Sequence, residues 1–240
     1  MDYKKEDNVK TAEVLMDYKK EDNVKTAEVL KEKLNLTRFP VAIKFFNEES
    51  EIPEGVEKID ETLRHCEMIT KAADGAMFYA TAAEQKCKGG SSAMGLEPLP
   101  PKIASGEFYY KLGRFDSVET AKSVIDNIPR KEEKSLGIIY APLEKADFVP
   151  DVVIVITVPK FGMYIAQGIV YNHGGKVESS CAGIQSLCAD AVSGPYVNNK
   201  VNTTLACNGS RGYAGIVDEE IIIGLPCDSL KPLLEAFENI

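Results

Sequence analysis

Two stretches of this chain repeat one pattern, and any fold must accommodate both. Cys87-Lys88-Gly89-Gly90-Ser91-Ser92-Ala93-Met94-Gly95 and Cys207-Asn208-Gly209-Ser210-Arg211-Gly212-Tyr213-Ala214-Gly215 each place glycine two and eight residues after a cysteine. Each follows an apolar, strand-like run, at residues 76–80 and 201–206. Each also has a cysteine upstream: Cys66 lies 21 residues before Cys87, and Cys188 lies 19 before Cys207. The spacing implies two related halves, about residues 31–115 and 135–240, each presenting a cysteine on a glycine loop behind a strand.

Such a loop favours anions. Where it opens a helix, free backbone N–H groups and the helix dipole face the cysteine and favour its thiolate. Glycine lets the backbone approach a bulky inorganic group closely. Gly89 and Gly90 in the first loop, and Gly209, Ser210 and Arg211 in the second, are the expected cofactor-contacting positions. The plainer alternative is that these cysteines are small buried hydrophobes on ordinary turns.

The six cysteines fall at 66, 87, 181, 188, 207 and 227. With no apolar leader at the charged N-terminus, the expectation is a cytoplasmic protein, in which clustered cysteines serve metal or redox chemistry rather than disulfides. No Cys-x-x-Cys occurs, so the compact zinc and ferredoxin spacings are absent and any metal site must be assembled from distant segments. A net charge of −9 argues against nucleic acid as a partner. No apolar run reaches the roughly 18 residues of a membrane span.

Residues 1–15 and 16–30 are identical, MDYKKEDNVKTAEVL. Residues 1–15 are set aside as a duplication, with Met16 as the expected natural start and residues 31–240 as one globular domain. From there the pattern predicts a helix carrying Val24, Ala27, Leu30 and Leu34, a strand at 41–46, and a helix capped by Asp60 that carries Leu63, His65, Cys66 and Ile69. Residues 103–110 are aromatic and fit neither pattern; Tyr109 and Tyr110 cover either a site or core. Asp116-Ser117-Val118-Glu119 starts a helix that stops before Pro129. The β-branched run at 152–158 reads as a strand buried on both faces. An apolar, buried helix at 161–171 and a strand from 177 would complete a right-handed βαβ unit. A helix at 184–192 ends at Gly194-Pro195. A strand at 220–225 and a final helix capped by Asp228 close the chain. The fold class expected is α/β or α+β, a mixed sheet flanked by helices.

If the halves are related by a pseudo-twofold, Cys66, Cys87, Cys188 and Cys207 converge. Four thiolates suit a 4Fe–4S cluster or tetrahedral zinc, and N–H groups turned toward sulfur favour the cluster. If Cys66 and Cys188 only pack inside helices, Cys87 and Cys207 remain, with Cys181 as a third ligand of a cluster, 3Fe–4S included, that keeps an open iron. Arg211 is placed to balance cluster charge or to hold an anionic substrate. His65 is a candidate base or ligand, although two histidines and no Ser-His-Asp pattern give a hydrolase little support. His173 is expected in solvent, and Cys227 is expected to be structural.

These residues also resemble a family. Pro40-Val41-Ala42-Ile43-Lys44-Phe45, Cys66 after Leu63-Arg64-His65, Cys87 with its glycines, residues 103–113, Cys188-Ala189-Asp190 and Cys207-Asn208-Gly209-Ser210-Arg211 are similar to domain of unknown function 169, an archaeal and bacterial cysteine-rich family also called ArCR. The resemblance runs from about Leu34 to the C-terminus. It implies that Cys66, Cys87, Cys188 and Cys207 are the family positions and that Cys181 and Cys227 are not, and it implies little about activity.

The leading expectation is a cytoplasmic iron–sulfur protein of anaerobic metabolism, acting in electron transfer or as a redox-linked accessory, with a redox partner protein and self-association. Two alternatives stay open: a metal-free thiol enzyme or small-molecule binder using Cys207 and Arg211, and an oligomeric scaffold with inert cysteines. Whether the chain is an enzyme is left undecided.

Overall fold

A computed structural model describes residues 18–240. The duplicated residues 1–15, and the expected start at Met16, lie outside the described residues.

Helix α1 (Asn23–Lys33) is followed by strand β1 (Val41–Phe46). Helix α2 (His65–Ala73) starts at an extended Arg64, where Glu67 reaches back to the Arg64 N–H at 2.9 Å; the start is set there rather than at Asp60. Strand β2 (Phe78–Thr81) leads through a turn to α3 (Lys88–Ala93). The undecided aromatic stretch forms two short helices, α4 (Pro101–Ala104) and α5 (Glu107–Lys111). In α6 (Val118–Asp126) the Ser117 hydroxyl accepts the Thr120 N–H, as the sequence expects.

The second half runs β3 (Gly137–Pro142), β4 (Val152–Thr157) and α7 (Pro159–Val170). A π-helix (Ser186–Ser193) then passes directly into α8 (Gly194–Asn198). Pro195 does not break the chain there, because it falls in the first turn of α8, where a helix needs no N–H from it. Strand β5 (Asn202–Thr204), α9 (Asn208–Tyr213), β6 (Ile221–Pro226) and α10 (Leu230–Phe237) complete the fold; α10 starts at Ser229, beyond Asp228.

The six strands form one sheet in the order β2-β3-β1-β4-β6-β5. Every pairing of these strands is antiparallel. A sheet flanked by helices is as expected, but the sheet is antiparallel and not mixed, and the βαβ unit is not there: residues 177–180 are irregular and mostly exposed, and β4 pairs with β1 and β6. The inference failed because β4 is covered on both faces in an antiparallel sheet, and such a strand reads like one from a parallel sheet. Val152, Ile154 and Ile156 pack on one side with α2 and the π-helix. Val153 and Val155 pack on the other with α1, α7 and α10.

Nor is α7 a buried helix. It buries Ile165 and Gly168, where a Cβ on Gly168 would lie 3.3 Å from the Phe237 ring, while Met163 is exposed. Its other apolar residues, Phe161, Tyr164 and Ile169 among them, are half-buried against the same core.

The sheet order repeats. Strands β1, β3 and β2 run from the centre to one edge, and β4, β6 and β5 run from the centre to the other. In each half a cysteine-bearing helix joins the first strand to the edge strand, and a Cys-x-Gly segment follows the edge strand. The edge strands β2 and β5 lie on opposite sides of the sheet, yet α2, α3, the π-helix and α9 meet on one face.

Candidate cysteine-lined site

Cys87 is the N-cap of α3 and Cys207 the N-cap of α9. Their carbonyls accept the N–H groups of Ser91 (2.9 Å) and Arg211 (3.0 Å), the first turns of the two short helices. The turn before Cys87 is held by Glu84, whose carboxylate accepts the Thr81 N–H at 2.9 Å and hydroxyl at 2.8 Å. The turn before Cys207 is made by Ala206 at φ 64°, a left-handed conformation that costs a residue with a Cβ. Cys66 lies in the first turn of α2, and Cys188 in the π-helix just after Gln185, itself at φ 52°. The π-helix and the two left-handed non-glycine residues are strained backbone that the surrounding packing must hold in place.

The four cysteines line one cavity of about 530 Å³. All six cysteines of the chain are free thiols. Gly90 lets α3 approach the π-helix: a Cβ there would lie 3.2 Å from Cys188 Sγ and 3.6 Å from Cys87 Sγ. A Cβ on Gly209 would lie 3.6 Å from Cys207 Sγ. Gly89 is not among the cavity-lining residues; a Cβ there would meet Gln185 Nε2 and the Tyr109 hydroxyl, which hydrogen-bond each other at 3.1 Å. Cys181 is exposed, outside the cavity, and Cys227 lies near α10, also outside it. His173 is exposed, as expected.

The thiols are not equivalent. Burial raises the pKa of Cys207, but hydrogen bonds from the Ser210 hydroxyl and from the N–H groups of Ser186, Ser210 and Gly209 outweigh it and hold that thiol below its ordinary value. Burial, with the nearby Cys207 and Cys87, pushes Cys66 up to about 12. Burial and the other three cysteines push Cys188 well above the usual thiol range, and its Sγ donates to the Gln185 carbonyl at 3.2 Å. Ionising one of these thiols therefore raises the cost of ionising Cys66 and Cys188.

Arginines surround the cavity. Arg64 and Arg114 line it. Arg64 stacks on the Tyr213 ring, 3.6 Å from its centroid, and pairs with Glu67 at 3.0 Å. Arg114 donates to the Asn208 side-chain oxygen, once that amide is oriented to accept, and so ties the segment after α5 to the second cysteine loop. Arg130 has both terminal nitrogens buried without partners among the described residues; burial lowers its pKa, and the nearby Cys188 and Tyr109 oppose that. The mouth carries Phe108, Leu112 and Tyr213, the last 60% exposed.

Arg211 does not join them. Its guanidinium donates to the carbonyls of Leu205 (2.7 Å), Val217 and Glu220 (3.1 Å), and it is not among the cavity-lining residues. It holds the second loop in shape instead of facing a ligand. Ser210 does face the site, 3.4 Å from Cys207 Sγ. The sequence reading missed Arg114, Arg130 and Gln185. None lies in the repeated pattern, and each reaches the site through packing between distant segments.

His65 is buried in the cavity wall, and burial holds its pKa down to about 3, so the ring is neutral. It is neither an exposed base nor grouped with acidic residues. Among the described residues no three or more His, Cys, Asp or Glu side chains are grouped so as to hold a metal ion. Ligands of one ion must converge on a single point, whereas a cluster spreads its thiolates around a core several atoms across.

The family model described as "Uncharacterised ArCR", domain of unknown function 169, matches residues 29–236. The chain belongs to that family. A chain from Methanocaldococcus jannaschii, the uncharacterized protein MJ0308, is 45% identical over 201 residues, 83% of this chain and 86% of that one. No solved structure matches. Among the described residues of this ArCR protein, no helix is long and apolar enough to cross a membrane.

Proposed function

We propose that this ArCR protein holds an iron–sulfur cluster through Cys66, Cys87, Cys188 and Cys207 and uses it in electron transfer or a redox-linked accessory role in the cytoplasm of an anaerobe. The observation that carries the reading is the meeting of four cysteines, from four separate segments, in one cavity. Three features fit a cluster there. The donor set is all sulfur, which suits iron–sulfur chemistry. N–H groups are aimed at Cys207, and such hydrogen bonds tune a cluster. Arg130, whose two terminal nitrogens meet no partner among the described residues, together with Arg64 and Arg114, supplies positive charge for a group that is anionic with four thiolates.

A 4Fe–4S cluster uses all four thiolates; 3Fe–4S uses three. The apolar mouth at Phe108, Leu112 and Tyr213 is where a redox partner or a second copy of the chain would approach. The thiol-enzyme alternative keeps one favourable observation, the lowered pKa of Cys207, but Arg211 does not face the site to hold its substrate.

The test is the visible spectrum of protein purified without air. A broad shoulder near roughly 400 nm, bleached by air or chelator, is expected for a cysteine-ligated cluster. Colourless protein after reconstitution, with fast iodoacetamide reaction at Cys207, would replace this reading with the thiol one.

A further inference from the structure

One buried donor in the cavity wall has no acceptor. His65 is 1% exposed and sits beside Cys66. Its Nδ1 lies 2.8 Å from the Tyr140 hydroxyl. Gln85 Nε2 lies 3.2 Å from that same hydroxyl and 3.3 Å from Met68 Sδ. A thioether sulfur has no hydrogen to give, so the amide end facing it is the NH2. Gln85 therefore donates to Tyr140.

The phenolic hydrogen then has one destination, the lone pair on His65 Nδ1. The opposite assignment, Nδ1–H donating to Tyr140, would leave the hydrogen of a fully buried tyrosine with no acceptor and His65 Nε2 with no donor. Gln85 Oε1 meets no partner among the described residues under either assignment; beyond it, the opposite assignment leaves two buried polar sites unmet instead of one, each having lost its water without a replacement. The imidazole proton is thus on Nε2. That nitrogen is buried and meets no partner among the described residues.

We propose that His65 is a positioning residue for the group held by the cysteines, donating a hydrogen bond from Nε2–H to one of its sulfurs, with Tyr140 and Gln85 fixing the tautomer. The assignment of the acceptor rests on the iron–sulfur reading; the tautomer does not. A donor to sulfur stabilises the reduced, more negative state, so it raises the cluster's reduction potential.

Two measurements test this. The chain has only two histidines, so nitrogen NMR of histidine-labelled wild type resolves the ring of His65 directly. The expected result is the Nε2–H tautomer; an Nδ1–H ring overturns the proposal without any variant having to fold. Potentials are then measured on reconstituted protein. His65→Met should shift the potential to more negative values, and His65→Gln, whose amide N–H reaches toward the place of Nε2–H, should restore most of the shift. Equal potentials in wild type and His65→Met, with clusters in both, overturn the proposal while leaving the cluster in place. A wild type that takes up no cluster overturns the iron–sulfur reading and removes the acceptor with it.

Discussion

Gly90 lies against Cys188: a methyl group at position 90 would stand 3.2 Å from that sulfur, across the line where α3 of the first half meets the π-helix of the second. The absence of a side chain there lets two cysteines far apart in sequence share one cavity. A larger residue should both strain the packing and push the ligands apart. Gly90→Val is expected to cost about 1–3 kcal/mol of stability, the usual cost of overpacking, and to lower iron bound per chain. Urea midpoints and iron assay check the two effects separately; unchanged iron in a folded Gly90→Val protein would argue that this approach does not shape the site.

The cysteines sort into two groups by position. Cys66, Cys87, Cys188 and Cys207 line the cavity; Cys181 and Cys227 do not. Single changes to serine at the first four should each remove most of the bound iron, whereas Cys181→Ser and Cys227→Ser should keep it. Retention of full iron in Cys66→Ser or Cys188→Ser would reduce that residue to packing.

Without a cluster the thiols should differ in reactivity. The thiolate is the nucleophile, so Cys207, held below its ordinary pKa, should alkylate at lower pH than a free cysteine, while Cys66, pushed up to about 12, and Cys188 should react only on unfolding. Ser210→Ala removes one hydrogen bond to the Cys207 sulfur. It should slow alkylation near pH 7 by up to about tenfold, the effect of one pKa unit. The rates are read by mass spectrometry in a Cys181→Ser background, where the exposed thiol does not interfere.

Glu84, in the turn before Cys87, gives a pH prediction that does not involve the thiols. Burial raises its pKa, but the Thr81 N–H and hydroxyl and Lys58 outweigh that and lower it. A carboxylate with a lowered folded pKa contributes stability above its unfolded value, about 4.3, and loses it as pH falls through the folded pKa. Glu84→Gln should therefore be less stable at pH 7 by about 0.5–1 kcal/mol, solvent screening keeping the effect small. The gap should close as pH drops below about 4. A gap that stays constant as pH falls from 7 toward acid unfolding would mean the loss is steric and not electrostatic.

What the sequence disclosed of this architecture was local. The apolar runs of β1, β4 and β6, the Ser117 cap and the two cysteine loops are set by neighbours in the chain, and each is where the pattern puts it. Strand order is not local: the β-branched run at 152–157 states that both faces are covered but not which way its neighbours run, so the βαβ expectation failed. The π-helix was invisible for a similar reason. Its shape answers to Gly224, where a Cβ would run into the Ala191 carbonyl, and to Gly90 on the other side. Arg211, in the motif, turned out to brace carbonyls, while Arg114 and Arg130, outside it, face the site or act on it. A motif names the residues beside a site in sequence; only the packing names those beside it in space.

The central claim is that four cysteines from four segments hold one iron–sulfur cluster. It is tested most directly by counting iron and acid-labile sulfide per chain in protein reconstituted without air. About four of each are expected for a cubane held by all four thiolates. Protein that stays folded yet binds no iron and no sulfide would contradict it.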